Sequence, residues 1–149
     1  MSGITSEAIL AGIKTVGVLG AGQMGAGIAQ VAAQTGYDVL LADVSQERAD
    51  AGKAGIVKQL GRLVEKGKLA AEARDATLAN IVPVAGLAAF GEVDFAIEAA
   101  TESIELKRKL MKGLDEACRP GVIVATNTSS ISITMLAAET SRPEHVVGM

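Results

Sequence analysis

Two kinds of segment alternate along this chain: short runs rich in Val, Ile and Leu, and longer amphipathic stretches. The short apolar runs predict buried strands at residues 14–19, 37–43, 81–84, 94–99, 122–125 and 145–149. Helical patterns separate these runs, so strand and helix alternate from one end to the other. This order is typical of an α/β fold, and we expect a doubly wound, mostly parallel sheet of the Rossmann-like kind.

The connection after the second predicted strand is unusually long. Ser45 can cap a helix that runs to about Glu65, Gly67 interrupts it, and a second helix covers roughly residues 70–79. A crossover between parallel strands needs only one helix of about a dozen residues. The length therefore predicts a helical hairpin, inserted after the second strand and projecting from the sheet.

Residue patterns also indicate the third strand and the two helices that follow residue 99. The helix after residue 99 has a predicted apolar stripe of Leu106, Leu110 and Leu114, and Pro120-Gly121 ends it. Pro83 suggests that its strand begins there or lies at the sheet edge. A short helix is expected around residues 134–139.

Composition indicates one ordinary domain over residues 1–149, with an aliphatic core, since 49% of residues are hydrophobic and only 2% are aromatic. A net charge of −3 gives no reason to expect nucleic acid as a partner. We also expect no signal peptide and no membrane span, because no basic residue precedes Lys14 and no long apolar run occurs. The lone Cys118 is expected to be a packing residue, and the whole favours a cytoplasmic location.

A glycine-rich turn follows the first predicted strand. Gly20 can make the tight turn, Gly22 lacks the Cβ that would keep a pyrophosphate from the backbone, and Gly25 lets the next helix pack closely. The free N–H groups and positive dipole end of that helix would face the phosphates. We therefore assign a dinucleotide pyrophosphate to this turn, whose residues are Gly20, Ala21, Gly22, Gln23, Met24 and Gly25.

Asp43 indicates which dinucleotide binds. It lies at the end of the second strand, where a carboxylate can accept hydrogen bonds from the adenosine ribose. It would repel the additional phosphate of NADP, and no Arg or Lys follows before Arg48. NAD is therefore the predicted cofactor, and we assign no metal site.

Two further polar segments follow strand ends, at residues 98–102 and 127–130. Ligands of open α/β sheets bind beyond the carboxyl ends of the strands, so we expect both segments beside the glycine turn. For Ser129 and Ser130, capping of the next helix is an alternative role.

The chain resembles the N-terminal NAD-binding domain of L-3-hydroxyacyl-CoA dehydrogenases, and specifically the 3-hydroxybutyryl-CoA type. The resemblance extends from residue 14 onward and rests on residues 16–30, Asp43, 97–102, Lys107 and 126–130. It implies oxidation of (S)-3-hydroxyacyl-CoA to 3-oxoacyl-CoA with NAD. Enzymes of this family also insert a helical hairpin after their second strand.

The resemblance implies roles for individual residues. Glu102 and Lys107 would contact NAD, and Ser129 would contact both the nicotinamide side and the substrate oxygen. Asn127 opens the same loop and is a second candidate catalytic residue, while Lys66 would meet coenzyme A. An excess of positive charge near Lys66 suits a ligand with phosphates, although a solvated helix face is the alternative; the basic residues are Lys53, Lys58, Arg62, Lys66 and Lys68.

In the family the catalytic histidine directly follows a Gly-Met pair, which here is Gly148-Met149. We therefore expect the base, and a helical domain that forms a homodimer, to lie beyond residue 149 of the intact protein. The chain itself is expected to bind NAD with negligible turnover. His145, the one histidine present, is expected at the surface before the last strand and not as the base.

Two other functions stay open. One is a non-catalytic module that senses NAD(H), and the other is a related dehydrogenase that acts on a sugar acid. The loop at residues 127–130 and the lysines of the hairpin favour the acyl-CoA substrate.

Overall fold

The computed structural model describes residues 12–100, 103–127 and 132–149. Its strands are β1 (Thr15–Leu19), β2 (Asp38–Asp43), β3 (Ile81–Ala85), β4 (Phe95–Glu98), β5 (Ile123–Thr126) and β6 (Val146–Gly148). Its α-helices are α1 (Gln23–Thr35), α2 (Gln46–Glu65), α3 (Ala71–Ala79), α4 (Ile104–Ala117) and α5 (Ile133–Ala137), with 3-10 turns at Ala88–Glu92 and Pro143–His145. The predicted strands and helices are thus confirmed, with small differences at their ends. In the described parts of the chain, no helix is both long and apolar enough to cross a membrane.

The described strands form one parallel sheet in the order β3-β2-β1-β4-β5-β6. The chain moves outward from β1 to β3 and then returns to β4 on the other side of β1, so the order reverses between β1 and β4. This is the doubly wound order of the Rossmann fold, and the reversal opens a crevice at the carboxyl ends of β1 and β4. Pro83 lies in β3 at the edge of the sheet, as predicted.

Aliphatic side chains cover both faces of the sheet, which confirms the predicted core. On one face Val18 and Leu41 pack beneath α1 and α2, which contribute Ala29, Ile56 and Leu60. On the other face, α4 and α5 cover the sheet, with a buried layer that includes Leu19, Ala96, Val124, Met111, Leu114 and Leu136. The two halves of the chain therefore place their helices on opposite faces, as the reversal of strand order requires.

The helical hairpin after β2 is present, but the prediction that it projects from the sheet is wrong. Ala49, Gly52, Ile56 and Leu60 form a buried stripe along α2, which lies against the sheet and α1. Gly52 permits this approach, since a Cβ there would lie 2.7 Å from the Cβ of Ala21. The hairpin is therefore one layer of the domain and borders the turn after β1.

The buried stripe of α4 differs from the predicted one. Lys107, Met111 and Leu114 are buried, whereas Leu106 is 41% exposed and Leu110 is only partly buried. A lysine can occupy the core side of α4 because Glu98 of β4 supplies a buried carboxylate beside it. The predicted stripe is thus wrong at Leu106, confirmed at Leu114, and confirmed in part at Leu110, which is partly buried and packs against the core.

Arg142 closes the C-terminal end of α4. Its Nε donates to Oδ1 of Asp115 at 2.8 Å, and the side chain is only 8% exposed. Its two amino groups donate to the carbonyl oxygens of Arg119, Val122, Asp115 and Cys118 at 2.6–3.1 Å. The carbonyls of Asp115 and Cys118 lie at the end of α4, where a helix has no further N–H groups to bond them, so Arg142 satisfies groups that burial would otherwise penalise. Cys118 is buried beside it, as predicted for a packing residue.

Asp115 should make the stability of this region depend on pH. Burial alone would raise its pKa, but hydrogen bonds from Ser141 and Arg142 outweigh burial and lower the pKa below 3.8. A lowered pKa in the folded state means that the ionised carboxylate stabilises the fold above the unfolded-state pKa, and that this stability is lost as pH falls through the folded-state pKa.

We therefore expect Asp115→Asn to lower the free energy of unfolding at neutral pH by about 2 kcal/mol, because it weakens a buried charge-assisted network. The difference from the parent should shrink as the pH falls below the unfolded-state pKa of the carboxyl group, in urea unfolding monitored by circular dichroism. Asp75→Asn is the control, since its ion pair with Arg74 has a 69% exposed carboxylate. That control should change stability by less than about 1 kcal/mol. A pH-independent deficit in Asp115→Asn would contradict the assignment.

Candidate nucleotide-binding site

The turn after β1 depends on two glycines. Gly20 has φ of +112°, and a Cβ there would lie 2.8 Å from the carbonyl carbon and oxygen of Ala99. A Cβ on Gly25 would overlap the carbonyl oxygen of Gly20. The N–H of Gly20 donates to the carbonyl of Ala42 at 2.8 Å, which holds the turn over the sheet. The first turn of α1 can therefore lie directly on the end of β1.

The start of α1 faces open space. Gly22 is its N-cap residue, and a Cβ on Gly22 would meet no heavy atom within 4 Å. The N–H groups of Gln23, Met24 and Gly25 have no acceptor within the helix, and the positive end of the helix dipole lies here. A pyrophosphate fits this arrangement, since it needs N–H donors, positive potential and a backbone that it can approach closely.

Asp43 is held in place at the end of β2. Its Oδ2 accepts from the N–H of Ala21 at 2.8 Å, and its Oδ1 accepts from the N–H of Val44 at 2.7 Å. Each carboxylate oxygen has a further lone pair, so both can still accept from neighbouring hydroxyls. Asp43 therefore links the glycine turn to β2 and fits the two hydroxyls of a ribose.

A cavity of about 370 Å³ joins these groups. Asp43 and Arg48 line one side, Ala100 follows β4, and Leu106 and Leu110 of α4 form an apolar wall. Sequence reasoning assigned these two leucines to the core and so missed them as cavity residues. A flat aromatic base prefers such aliphatic surfaces to water.

A larger groove of about 950 Å³ runs along α1 and is mostly apolar. It is lined by residues such as Ile28, Val31, Tyr37 and Met149, and it shares Gln23 and Met24 with the smaller cavity. It does not reach Gly20 or Asp43. The smaller cavity is therefore the one whose chemistry suits a dinucleotide.

Glu98 and Lys107 form an ion pair in which both side chains are fully buried. The ammonium group donates to the two carboxylate oxygens at 2.8 and 2.9 Å. Thr126 Oγ1 donates to Oε1 at 2.6 Å, and the N–H of Ala100 donates to Oε2 at 2.7 Å. The ammonium also donates to the carbonyl of Asn127 at 3.2 Å. The role of Glu98 was missed by sequence reasoning, although an acid that ends an apolar strand, nine residues before a lysine, is a usable signal.

The other predicted site residues are placed as follows. Asn127 lies at the end of β5, and its N–H donates to the carbonyl of Glu98 at 2.8 Å, so these two polar segments meet. Glu102 and Ser129 lie outside the described residues. Lys107 was predicted to contact NAD, but its side chain is fully buried on Glu98 and does not line the cavity, so a direct contact does not fit the structure. Lys66 is exposed at the end of α2, away from the cavity. His145 lies in the 3-10 turn before β6 with its side chain 38% exposed, as predicted.

A parallel sheet of order 3-2-1-4-5-6, a glycine turn at the start of α1 and an oriented carboxylate after β2 together define a dinucleotide-binding Rossmann domain. The family model "3-hydroxyacyl-CoA dehydrogenase, NAD binding domain" matches residues 15–149. The chain belongs to this family, and NAD is the cofactor of its domain.

Similar proteins agree with this placement. The chain is 49% identical to a 3-hydroxybutyryl-CoA dehydrogenase of Bradyrhizobium diazoefficiens, over 92% of the chain and 47% of that protein. It is 47% identical to a 3-hydroxyadipyl-CoA dehydrogenase of Escherichia coli K12, over 92% of the chain and 29% of that protein. The crystal structure of (S)-3-hydroxybutyryl-CoA dehydrogenase PaaH1 from Ralstonia eutropha superposes with a TM-score of 0.89 at 44% identity, over 92% of the chain and 48% of that structure. The chain thus spans about half or less of these relatives.

Replacement of Gly25 tests the close contact at the glycine turn. We expect Gly25→Ala to weaken NADH binding at least about tenfold and to destabilise the domain by about 2 kcal/mol, because the methyl group would overlap the Gly20 carbonyl. Titration of NADH fluorescence and urea unfolding measure the two effects. Gly27→Ala in the same helix is the matched control, since a Cβ there meets no atom within 4 Å. It should bind normally, with stability unchanged or raised by about 0.5–1 kcal/mol. Equal behaviour of the two variants would contradict this account.

Asp43 should set the preference for NAD over NADP. Asp43→Asn is expected to weaken NADH binding about tenfold, through loss of a charged acceptor, and to weaken NADPH binding much less, because repulsion of the extra phosphate disappears. Dissociation constants for both dinucleotides check this. Asp38→Asn, an exposed acid at the other end of β2, is the control and should leave both constants unchanged. An unchanged NADH-to-NADPH ratio in Asp43→Asn would contradict the role.

Proposed function

We propose that this NAD-binding domain serves a dehydrogenase that oxidises (S)-3-hydroxyacyl-CoA to 3-oxoacyl-CoA, with 3-hydroxybutyryl-CoA as its substrate. The observation that supports it most is the meeting of three segments at the crevice: the Gly20 turn, the backbone after Glu98, and Asn127 at the end of β5. The printed names of the relatives point to the same thioester chemistry.

In this proposal the loop that begins at Asn127 holds the reacting end of the substrate. Bound NAD supplies the hydride acceptor. Ser129 orients the substrate oxygen by a hydrogen bond and touches the nicotinamide side, and Asn127 belongs to the same loop. Glu102 takes part in NAD binding, whereas Lys107 is fully buried and does not contact NAD directly. The backbone of Asn127 is fixed at both its N–H and its carbonyl, which supports a defined starting direction for this loop.

Removal of the hydroxyl proton needs a base, and we propose that His145 does not provide it. His145 precedes β6 and therefore lies toward the amino ends of the strands, whereas ligands of this fold bind at the carboxyl ends. Its Nδ1 lies 3.2 Å from Oε1 of Glu144, an exposed carboxylate. The family resemblance instead places the base directly after the Gly148-Met149 pair.

The hairpin supports a site for coenzyme A. Lys58, Arg62, Lys66 and Lys68 are exposed along and after α2, where Glu65 is the nearest acid in sequence. Lys53 does not add to this free charge, because its ammonium donates to the carbonyl of Ile81 at 2.9 Å. Exposed cations in this arrangement suit the phosphates of coenzyme A, and we propose that Lys66 contacts them.

A cytoplasmic location and a homodimer formed by a further helical domain complete the proposal. The location rests on the lone Cys118 and the composition, and the homodimer rests on the family resemblance. A sensor of NAD(H) is the second candidate function. It predicts dinucleotide binding that is independent of any CoA thioester. A sugar-acid dehydrogenase predicts no response to the charge of the hairpin.

The test is a calorimetric titration that measures the binding of acetoacetyl-CoA to residues 1–149 saturated with NAD. We expect binding, with affinity about fivefold lower in Lys66→Glu, the scale of one partly exposed charge contact. Lys112→Glu makes the same charge change on α4, on the opposite face of the sheet, and should bind as the parent does. Absence of acetoacetyl-CoA binding, or equal binding by all three proteins, would count against the proposal.

A further inference from the structure

The buried Glu98–Lys107 pair lies directly behind the wall of the NAD cavity. Transfer of two charges from water into a protein interior is costly, and well-packed apolar residues of similar size often stabilise a fold equally well. A simple packing role therefore does not explain why residues 98 and 107 are charged. The hydrogen bonds of the pair show which backbone segments it fixes.

One oxygen of Glu98 holds the segment after β4. Its Oε2 accepts from the N–H of Ala100 at 2.7 Å, which turns the Ala99–Ala100 backbone at the end of the strand. The Ala99 carbonyl approaches Gly20 so closely that a Cβ on Gly20 would lie 2.8 Å away, and Ala100 lines the cavity. The carboxylate thus sets the position of the backbone that faces the glycine turn.

The ammonium of Lys107 holds two more elements. Because it is anchored to Glu98, it fixes α4 relative to β4, and α4 presents Leu106 and Leu110 to the cavity. The same ammonium donates to the carbonyl of Asn127, the first residue after β5. Thr126 adds a bond from the last residue of β5 to the same carboxylate. The segment after β4, helix α4 and the end of β5 therefore share one buried pair, and the first two of them line the cavity.

We infer that Glu98 and Lys107 are positioning residues for NAD, acting through the Ala99–Ala100 backbone, the leucine wall of α4 and the start of the Asn127 loop. The pair is fully buried, so it acts by fixing the distance between the glycine turn and α4. This inference rests on binding of NAD in the cavity beside Gly20, and it is independent of the proposed acyl-CoA substrate.

The experiment separates positioning from stability with single and double variants. Lys107→Met leaves the carboxylate of Glu98 buried without a counter-ion, and Glu98→Gln leaves the ammonium of Lys107 buried without one. Each single substitution should therefore destabilise the protein strongly. The double variant Glu98→Gln/Lys107→Met removes both charges and should recover most of that stability. Its NADH dissociation constant should nevertheless stay about tenfold above the parent value, because the bonds from Lys107 to Glu98 and Asn127 are gone. Fluorescence titration and urea unfolding give both quantities.

Arg142→Met provides a matched control. It also breaks a buried pair, with Asp115, but at the end of α4 away from the cavity. Arg142→Met should lower the free energy of unfolding. Its NADH affinity, measured at a temperature where every variant is folded, should equal that of the parent. Recovery of NADH affinity together with stability in the double variant would overturn the inference. An equal loss of affinity in Arg142→Met would also overturn it, since the effect would then be one of general stability.

Discussion

The close approach of three backbone segments at Gly20 is the constraint on which the rest of this molecule depends. Gly20, the first turn of α1 and the carbonyl of Ala99 lie so near one another that a methyl group at Gly20 or Gly25 has no room. Only this closeness brings the positive end of α1 over the point where the strand order reverses. The cavity, the carboxylate of Asp43 and the wall of α4 are all arranged around it.

Hydrogen bonds that buried or partly buried carboxylates accept from backbone N–H groups maintain this arrangement. Asp43 ties the turn to β2 through the N–H of Ala21, and Glu98 ties the segment after β4 through the N–H of Ala100. A carboxylate that accepts from a backbone N–H forms a stronger and more directional bond than a neutral acceptor. Charge is therefore used here to fix backbone positions, which shape the site more rigidly than apolar packing alone.

Among the residues that the structure describes, two ion pairs are fully or nearly buried. They lie at different ends of α4 and differ in what they touch. Arg142 binds four carbonyl oxygens near the C-terminal end of the helix, so its bonds complete the fold where α4 stops. Lys107 lies in the first turns of the same helix, beside the cavity, and its bonds reach β4 and the end of β5. A buried ion pair thus satisfies the carbonyls at the C-terminal end of α4, and another fixes the backbone of the site at its N-terminal end.

The sequence by itself determined the order of strands and helices, the glycine turn, the role of Asp43 as the acid after β2, and the family. These follow from local patterns, because a strand or a turn is specified by residues adjacent in the chain. Tertiary structure alone decided that α2 lies against the sheet through Gly52, that Leu106 and Leu110 face the cavity, and that Lys107 is buried on Glu98. An amphipathic pattern predicts which residues prefer water, and it contains no information about a carboxylate on a neighbouring strand. Lys107 is therefore buried on the core side of α4 and Leu106 is not, because the carboxylate of Glu98 reaches this position only when the sheet is assembled.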